Sequence, residues 1–213
     1  MAFLRGSAMA ESFSRYDVYT VTGSIYCYRD ANVLRNRLGI RDNQQLRIVE
    51  ADITAVRQND LLETPILGRF TSNHLCRIHK YLFGDVYPFA GHFRKEDIMK
   101  GATRFLSHKE IAPKLSALLK KLKAENYLRD LSAEELTSRS AYYLAELNYI
   151  HPFREGNGRS IREFMRLLYA QAGYDVHWDA VEAEVLLQAM EESVYRTAML
   201  EAVLAECLER QSR

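Results

Sequence analysis

The sequence predicts an all-α fold, a helical bundle that carries one small β-hairpin. The 213 residues contain only 4 prolines and 10 glycines, so few positions interrupt a helix. Apolar residues recur at helical spacing in several long segments, which is typical of amphipathic helices. Residues 93–106 differ, because two short extended runs flank the turn signal Lys100-Gly101-Ala102. No repeat, linker or low-complexity segment is found, so we expect an N-terminal arm over residues 1–28 and a single domain over residues 29–213.

Composition and charge argue against several classes of protein. Apolar residues make up 47% and charged residues 27% of the chain, which is ordinary for a soluble globular protein. A net charge of +1 supplies no strong field for nucleic acid or an anionic membrane. The cysteines Cys27, Cys76 and Cys207 form no CxxC pair, so we expect neither a disulfide framework nor a zinc site. No run of about 18 apolar residues could span a membrane, and no secretory signal opens the chain.

The first elements are an arm and a short helix. Residues 16–28 are rich in tyrosine, threonine and valine around Gly23, which indicates a short hairpin or an extended arm. Asp30–Leu38 has the pattern of a short helix that ends near Gly39.

Two longer helices follow. Asn43–Leu62 is predicted as a helix with an inward stripe formed by Leu46, Val49, Ile53, Val56 and Leu61. Ser72 is predicted to cap the next helix, which runs through Leu82. His74 and His79 lie five residues apart, which does not align two metal ligands on one helical face, so both are interpreted as ordinary helix residues.

The C-terminal half predicts further amphipathic helices. Ser132-Ala133-Glu134-Glu135 matches a capping box that opens a helix. Asp179–Glu182 matches a second one, and Gly173 ends the helix that lies between them. The predicted helices in this half cover His108–Asn126, the stretch from the first capping box to Ile150, Asn157–Ala172, Asp179–Gln188 and Ser193–Glu209.

The strongest chemical signal is the run His151-Pro152-Phe153-Arg154-Glu155-Gly156-Asn157-Gly158-Arg159. Its Gly-rich turn precedes a helix N-terminus, where backbone N–H groups without intrahelical partners can bind an anion such as phosphate. Gly156 and Gly158 let the backbone approach a phosphate closely. Arg159 can form a bidentate contact with a terminal phosphate, and Arg162 follows on the same helical face.

Two side chains of this run supply reactive groups. Glu155 is a hard oxygen ligand, suited to Mg²⁺ that is shared with phosphate oxygens. His151 is a candidate general base, because the usual pKa of histidine lies near neutrality. Together they suggest the transfer of a nucleotide or phosphate to a hydroxyl. The structural alternative is a helix–helix corner in which His151 and Glu155 only cap neighbouring backbone.

At every position the run resembles the Fic family signature, His-Pro-Phe-x-(Asp/Glu)-Gly-Asn-(Gly/Lys)-Arg. The resemblance implies a Fic-type helical bundle and a protein adenylyltransferase (AMPylator), which moves AMP from ATP to a hydroxyl of a target protein. In such enzymes the histidine accepts the proton, the acidic residue holds Mg²⁺, and the turn and arginines bind the triphosphate. Those roles fall on His151, Glu155, Gly156, Asn157, Gly158, Arg159 and Arg162. Asn32–Ile40 and Phe83–Arg94 also resemble the family, with Phe89 where tryptophan is usual.

The hairpin at residues 93–106 is similar in order and distance to the Fic flap, which lies over the active site and aligns the target segment. The edges of an isolated hairpin can accept an added peptide strand. The resemblance therefore implies that a target protein docks there as a strand, with Lys95, Asp97, Ile98 and Arg104 as contact residues. The alternative is a connecting hairpin without a partner.

The resemblance also bears on regulation and location. Many Fic proteins are inhibited by a helix with (Ser/Thr)-x-x-x-Glu-(Gly/Asn), whose glutamate would here pair with Arg159. Ser7–Glu11 and Thr197–Glu201 nearly fit, but neither is followed by glycine or asparagine. We therefore expect inhibition by a separate small antitoxin protein. The family context suggests a bacterial toxin or effector, in the cytoplasm or secreted into another cell.

Other functions remain open from the sequence. Fic proteins also transfer phosphate, UMP or phosphocholine, although the phosphate-transferring Doc branch has Ala-Asn-Lys where this chain has Gly156-Asn157-Gly158. A nucleotide-binding module without catalysis is the second alternative, and the intact His151 and Glu155 argue against it.

Overall fold

The computed structural model describes residues 23–211 as a bundle of seven α-helices with three small antiparallel sheets. The helices are α1 (Asn43–Glu63), α2 (Ser72–Phe83), α3 (Ile111–Ala124), α4 (Ala133–Ile150), α5 (Asn157–Ala172), α6 (Ala183–Glu192) and α7 (Ala198–Cys207). The strand pairs are β1 (Cys27–Tyr28) with β2 (Ala31–Leu34), β3 (Met99–Lys100) with β4 (Thr103–Arg104), and β5 (Tyr174–Val176) with β6 (Leu208–Arg210). The predicted helical bundle with a small hairpin is confirmed. No helix in this described part combines the length and the apolarity needed to cross a membrane.

Helix α4 packs against neighbours on several sides. It contacts α3, α5, α6 and α7, and its buried side chains include Tyr143, Leu144 and Leu147. The main hydrophobic core draws buried side chains from all seven helices. Because burial of apolar surface is the dominant favourable contribution to folding, this packing fixes the ends of α4 and α5. Residues 151–156 join those two ends in a short loop.

Helix α1 has nearly the predicted span, and the predicted inward residues Leu46 and Leu61 are fully buried. Its buried residues are Leu46, Glu50, Thr54 and Leu61. Val56, predicted to face inward, is 61% exposed. The polar residues Glu50 and Thr54 are buried because both hydrogen-bond to Arg159 of α5. The apolar pattern therefore predicts part of the buried face but misplaces Val56 and misses the two buried polar residues.

The short helix predicted over Asp30–Leu38 is wrong, because this stretch contains strand β2, which pairs with β1. The Asn36 side chain then donates to Ile40 O at 2.7 Å and accepts from Ile40 N at 2.9 Å. Such side-chain bonds satisfy the backbone of a turn and compete with helix formation. Of the arm predicted over residues 1–28, residues 1–22 lie outside the described part of the chain.

The C-terminal helices begin later than predicted. Asp179 lies in a 3₁₀ turn, and α6 begins at Ala183 after Glu182, whose side chain makes no capping hydrogen bond. Residues 208–210 follow α7 as strand β6, which pairs with β5. The capping box predicted at Asp179 is therefore wrong, and the helix predicted over Ser193–Glu209 is confirmed only over Ala198–Cys207. Pairing between strands that are distant in the chain leaves no local pattern to read.

The capping box predicted before α4 is confirmed. Ser132 Oγ accepts a hydrogen bond from Glu135 N at 3.2 Å, and Glu135 Oε2 accepts one from Ser132 N at 2.9 Å. Helix α2 begins at Ser72, but its cap is Thr71, whose Oγ1 accepts from His74 N at 3.4 Å. The cap predicted at Ser72 is thus displaced by one residue.

Candidate active site

His151 follows α4 in a left-handed backbone conformation, with φ +45°. Its Nδ1 lies 3.0 Å from Asn148 O. Because a carbonyl oxygen only accepts, this contact places the proton of the neutral imidazole on Nδ1. Nε2 is then the nitrogen with the lone pair, as a general base requires. The ring also stacks on Phe105 of the hairpin segment, with ring centroids 3.8 Å apart.

A cavity of about 420 Å³ opens beside His151. The residues that line it come from the hairpin (Lys100, Gly101, Ala102, Thr103 and Phe105), from α4, α5 and the loop between them (Asn148, His151, Gly158 and Arg162), and from α6 and its C-terminal end (Ala183, Leu186, Leu187, Met190, Glu191 and Val194). The α6 wall is therefore mostly apolar, and the side chains of Asn148, His151 and Arg162 add polar groups from α4, α5 and the loop between them. Lys100 Nζ lies 3.2 Å from Glu191 Oε1, so an ion pair joins the hairpin turn to α6. This lining suits a ligand with an apolar planar part and an anionic part.

Asn157 and Gly156 hold the loop before α5 in one shape. Asn157 Oδ1 accepts from Phe153 N at 2.8 Å, and its Nδ2 donates to Phe153 O at 2.9 Å. Gly156 has φ +78°, and a Cβ there would clash with the Phe83 ring, so both the backbone angle and the space require glycine. The Asn157 amide is therefore used within the loop, and Gly158 is the glycine on the cavity wall.

His79 of α2 supports the same loop from behind. Its ring is fully buried and stacks on Phe153 with centroids 3.8 Å apart. Nε2 lies 2.8 Å from Glu155 O, and Nδ1 accepts from Gly91 N at 2.8 Å. Burial lowers the pKa of His79 to about 3, so the ring is neutral at physiological pH. His79 is a helix residue, as interpreted, and it also supports the motif loop. Phe153 is fully buried in the core.

Glu155 is the candidate metal ligand. It is 4% exposed, and its Oε1 accepts a hydrogen bond from Gly156 N at 2.9 Å. Within residues 23–211, no group of three or more His, Cys, Asp or Glu side chains could hold a metal ion. Mg²⁺ in nucleotide sites commonly takes one or two carboxylates together with substrate phosphates. The donor set therefore fits a metal that enters with a nucleotide.

The two arginines after the turn lie in different environments. Arg159 is 7% exposed, and its guanidinium lies 2.5 Å from Glu50 Oε1 and donates to Thr54 Oγ1 at 2.8 Å. It also lies over the Phe83 ring, 4.6 Å from the centroid. Arg162 lines the cavity with His151 and Gly158. The structure thus directs Arg159 toward α1, whereas Arg162 lies beside His151 in the cavity lining.

Arg94 connects the hairpin base to the loop after α4. Its side chain is 2% exposed, its Nε donates to His151 O at 2.9 Å, and a guanidinium nitrogen donates to Leu106 O. Its backbone N donates to Pro152 O at 2.9 Å. These bonds give Arg94 a structural role and fix the hairpin relative to His151.

The four candidate target-contact residues divide into two pairs. Lys95 and Arg104 are exposed. Ile98 is 2% exposed and packs with Phe105 beneath the hairpin. Asp97 Oδ1 accepts from His108 N at 2.7 Å and contacts the His108 ring, and these hydrogen bonds lower the pKa of Asp97 to about 2. Asp97 and Ile98 therefore hold the hairpin in place.

Of the two candidate inhibitory glutamates, Glu201 belongs to the described residues and does not pair with Arg159. Glu201 lies in the first turn of α7, where its Oε1 accepts from Thr197 Oγ1 at 2.7 Å. The carboxylate that pairs with Arg159 is Glu50 of α1. The other candidate segment, Ser7–Glu11, lies outside the described residues.

Sequence reasoning missed three supports of this site, namely Asn148, His79 and Glu50. Asn148 holds His151 through its carbonyl oxygen and α6 through its side chain, whose Nδ2 donates to Met190 O at 2.7 Å. None of the three belongs to a local motif. The only signal was a polar residue at an inward position of an amphipathic helix, and such residues can equally be satisfied within the core.

Sequence comparison identifies a family and named relatives. Residues 69–169 match the model of the Fic/DOC family. The chain is 40% identical over 186 residues to the protein adenylyltransferase VbhT of Bartonella schoenbuchensis, a match that covers 87% of this chain and 39% of that protein. It is 38% identical over 164 residues to the "Probable protein adenylyltransferase Fic" of Salmonella typhimurium, over 77% of this chain and 81% of that protein.

Structural comparison finds the same fold in a solved protein. The neighbour is the N-terminal Fic domain of a VirB-translocated Bep effector protein from Bartonella quintana, crystallised with bound ADP. Its TM-score is 0.81 at 26% identity, and the match covers 88% of this chain and 95% of that chain. Against VbhT, by contrast, this chain spans about two fifths of the relative's length.

Proposed function

This chain belongs to the Fic/DOC family, and on that premise we propose that it is a protein adenylyltransferase, which transfers AMP from ATP to a hydroxyl of a target protein. The observation that carries the proposal is the setting of His151. Its Nδ1 faces Asn148 O, so that Nε2 has the lone pair, and the ring lines a cavity together with Gly158 and Arg162. Transfer of a nucleotide to a hydroxyl needs a base, an anion-binding turn and a cation. The named relatives support AMP as the transferred group.

His151 would act on the target hydroxyl. Its Nε2 accepts the hydroxyl proton as the hydroxyl oxygen attacks the α-phosphorus of ATP. The bond from the α-phosphorus to the oxygen bridging to the β-phosphate breaks, and pyrophosphate leaves. The Asn148 carbonyl stabilises the imidazolium at Nδ1. Orientation and charge stabilisation contribute most of the acceleration in such transfers.

The triphosphate would lie against the N-terminus of α5. Backbone N–H groups around Gly158 and the helix dipole favour negative charge there. Arg162 would bind phosphate oxygens from the cavity wall. Glu155 would hold Mg²⁺ together with the phosphates, and bound Mg²⁺ neutralises charge on the phosphoryl oxygens. Arg159 would act indirectly, by fixing α5 to α1 through Glu50.

The target protein would dock as a strand along β3 and β4. Lys95 and Arg104 are exposed and would contact it, whereas Asp97 and Ile98 would act by holding the hairpin. Phe105, the residue after β4, stacks on His151. Docking along the hairpin would therefore place the target hydroxyl near the base.

Inhibition would come from a separate antitoxin protein with a Ser/Thr-x-x-x-Glu-Gly/Asn helix. Because Arg159 pairs with Glu50, the glutamate of that helix would approach Arg162 on the cavity wall. The VirB-translocated relative supports a bacterial protein that is delivered into another cell.

The test compares wild-type protein with His151→Ala in bacterial and eukaryotic lysates, using ATP labelled at the α- or the γ-phosphate. We expect protein labelling from α-labelled ATP only, and loss of the base should lower it by about 10²–10⁴-fold. His177→Ala serves as a control, because His177 is an exposed histidine that does not line the cavity. Equal labelling by wild type and a folded His151→Ala variant would contradict the role of His151. Labelling from γ-labelled ATP would instead indicate phosphate transfer.

A further inference from the structure

His79 contacts the motif loop at two points and is not among the residues that line the cavity. Its ring stacks on Phe153, and its Nε2 lies 2.8 Å from Glu155 O. Its Nδ1 accepts from Gly91 N at 2.8 Å. A backbone N–H can only donate and a carbonyl can only accept, so the proton is on Nε2, and His79 donates it to Glu155. A single ring thus joins α2, the turn at Gly91 and the loop that carries Glu155.

The hydrogen bond from His79 to Glu155 O fixes the orientation of the next peptide group, which the following glycine leaves free to rotate. Gly156 has φ +78° and lacks a Cβ, so its sterics alone do not fix the orientation of the peptide group between residues 155 and 156. The Nε2–H of His79 holds the carbonyl oxygen of that peptide group. The nitrogen of the same group donates to Glu155 Oε1 at 2.9 Å. The peptide orientation and the carboxylate orientation are therefore coupled.

We propose that His79 is a positioning residue for Mg²⁺–nucleotide binding, which acts through the Glu155 backbone to orient the Glu155 carboxylate. The inference rests on the proposed function, in which Glu155 holds Mg²⁺ with the phosphates. Outer groups that orient a metal ligand typically change metal affinity or activity by about 10–100-fold when they are removed.

Two amide variants separate the hydrogen bonds of His79. The amide nitrogen of glutamine can reach the place of Nε2, so His79→Gln keeps a donor for Glu155 O. The shorter asparagine reaches only the place of Nδ1, so His79→Asn can accept from Gly91 N but cannot reach Glu155. Both variants lose the aromatic stack on Phe153. His74→Gln is the matched control, because His74 is a buried histidine of the same helix that bonds Ile66 O and not the motif loop.

The readout is the gain in affinity for α,β-methylene ATP when Mg²⁺ is added, measured by calorimetry. This analogue resists transfer because its α–β linkage is a carbon bridge, so the readout does not depend on turnover. We expect His79→Asn to lower the Mg²⁺-dependent gain by about tenfold. His79→Gln and His74→Gln should keep most of it. Thermal unfolding of all three variants shows whether each is folded under the binding conditions.

The outcomes separate this inference from the function on which it rests. If Glu155→Gln abolishes the Mg²⁺-dependent gain but His79→Asn retains it, the positioning role is overturned and the metal ligand stands. Equal losses in His79→Asn and His79→Gln would also overturn it, since the donor to Glu155 would then not matter. If Mg²⁺ strengthens binding in neither wild type nor Glu155→Gln, Glu155 is not the metal ligand and both proposals fail.

A measurement on the wild-type protein covers the case in which neither His79 variant folds. The Nε2–H of His79 can be followed by ¹⁵N NMR in protein saturated with α,β-methylene ATP. Addition of Mg²⁺ should shift this signal, while the His74 ring signal stays in place. An unchanged His79 signal would overturn the inference.

Discussion

The loop between α4 and α5 has two faces with opposite properties. On the packed face, toward α1 and α2, Asn157 is buried, Arg159 pairs with Glu50, and the backbone oxygen of Glu155 contacts His79. On the open face, His151, Gly158 and Arg162 line the cavity. The signature sequence therefore combines residues that build the loop with residues that line the cavity. Arg159 and Arg162 illustrate the division, since their side-chain types are identical and their surroundings are not.

Breaking the ion pair between Glu50 and Arg159 on the packed face should cause the largest loss of stability. Glu50→Ala leaves the Arg159 charge buried without its carboxylate and also removes the acceptor of the Tyr87 hydroxyl. Loss of one partner of a buried ion pair typically costs about 3–5 kcal/mol, so we expect a loss of that size in the free energy of unfolding. Urea unfolding followed by circular dichroism measures it.

Its control is the double variant Glu50→Met/Arg159→Met, which removes both charges. Because apolar replacement of a whole buried ion pair is often neutral, much of the lost free energy of unfolding should return. If Glu50→Ala unfolds at the same urea concentration as wild type, the packed face does not depend on this pair.

Gly156 and Gly158 lie two residues apart but on different faces of the loop, so substituting each one tests the difference between the packed and open faces. Gly156→Ala places a Cβ against the Phe83 ring at a positive φ, and overpacking together with backbone strain should cost about 2–4 kcal/mol of unfolding free energy. At Gly158 an added Cβ would lie 3.2 Å from a terminal nitrogen of the Arg162 side chain, which can move. Gly158→Ala should therefore change stability much less and nucleotide binding more. Equal losses of stability in the two variants would contradict the division.

Much of the architecture could be predicted from the sequence, because amphipathic periodicity and capping are local signals. The capping box at Ser132 is one example, and the nearly complete span of α1 is another. Strand β2 and the β5–β6 pair were missed, because β pairing depends on neighbours that the local pattern does not show. The burial of Glu50 on α1 was missed because it depends on Arg159, a residue far along the chain.

In the candidate site, too, the sequence did not reveal features that depend on contacts between distant residues. The sequence alone named His151, Glu155 and the two arginines as candidates. It could not assign different positions to Arg159 and Arg162, because that difference arises from packing between α1 and α5. The contact of His79 with Glu155 likewise depends on how α2 packs against the loop.

Substitutions on the open face should change the affinity for nucleotide more than the free energy of unfolding. Arg162 is partly exposed on the cavity wall, so Arg162→Ala should change the free energy of unfolding less than Glu50→Ala does. A lost hydrogen bond to a charged group is worth about 1.5–3 kcal/mol, which predicts a roughly 10- to 150-fold weaker affinity for ATP. Calorimetric titration with α,β-methylene ATP measures the affinity. An unchanged affinity would remove Arg162 from the binding face.

Lowering the pH should gradually reduce the free energy of unfolding, because His79 is neutral in the folded protein. Its pKa is lowered to about 3 in the fold from the ordinary value of 6.5, so the unfolded chain binds one more proton than the folded chain between these pH values. Stability therefore falls as pH decreases below 6.5, by about 1.4 kcal/mol per pH unit for one such group. Unfolding free energies of wild type and His79→Gln between pH 7 and pH 4.5 measure this contribution, because glutamine does not titrate. Parallel curves for the two proteins would show that His79 becomes protonated in the folded protein as readily as in the unfolded chain. A protonated Nδ1 cannot accept a hydrogen bond, so the bond from Gly91 N would then have to break.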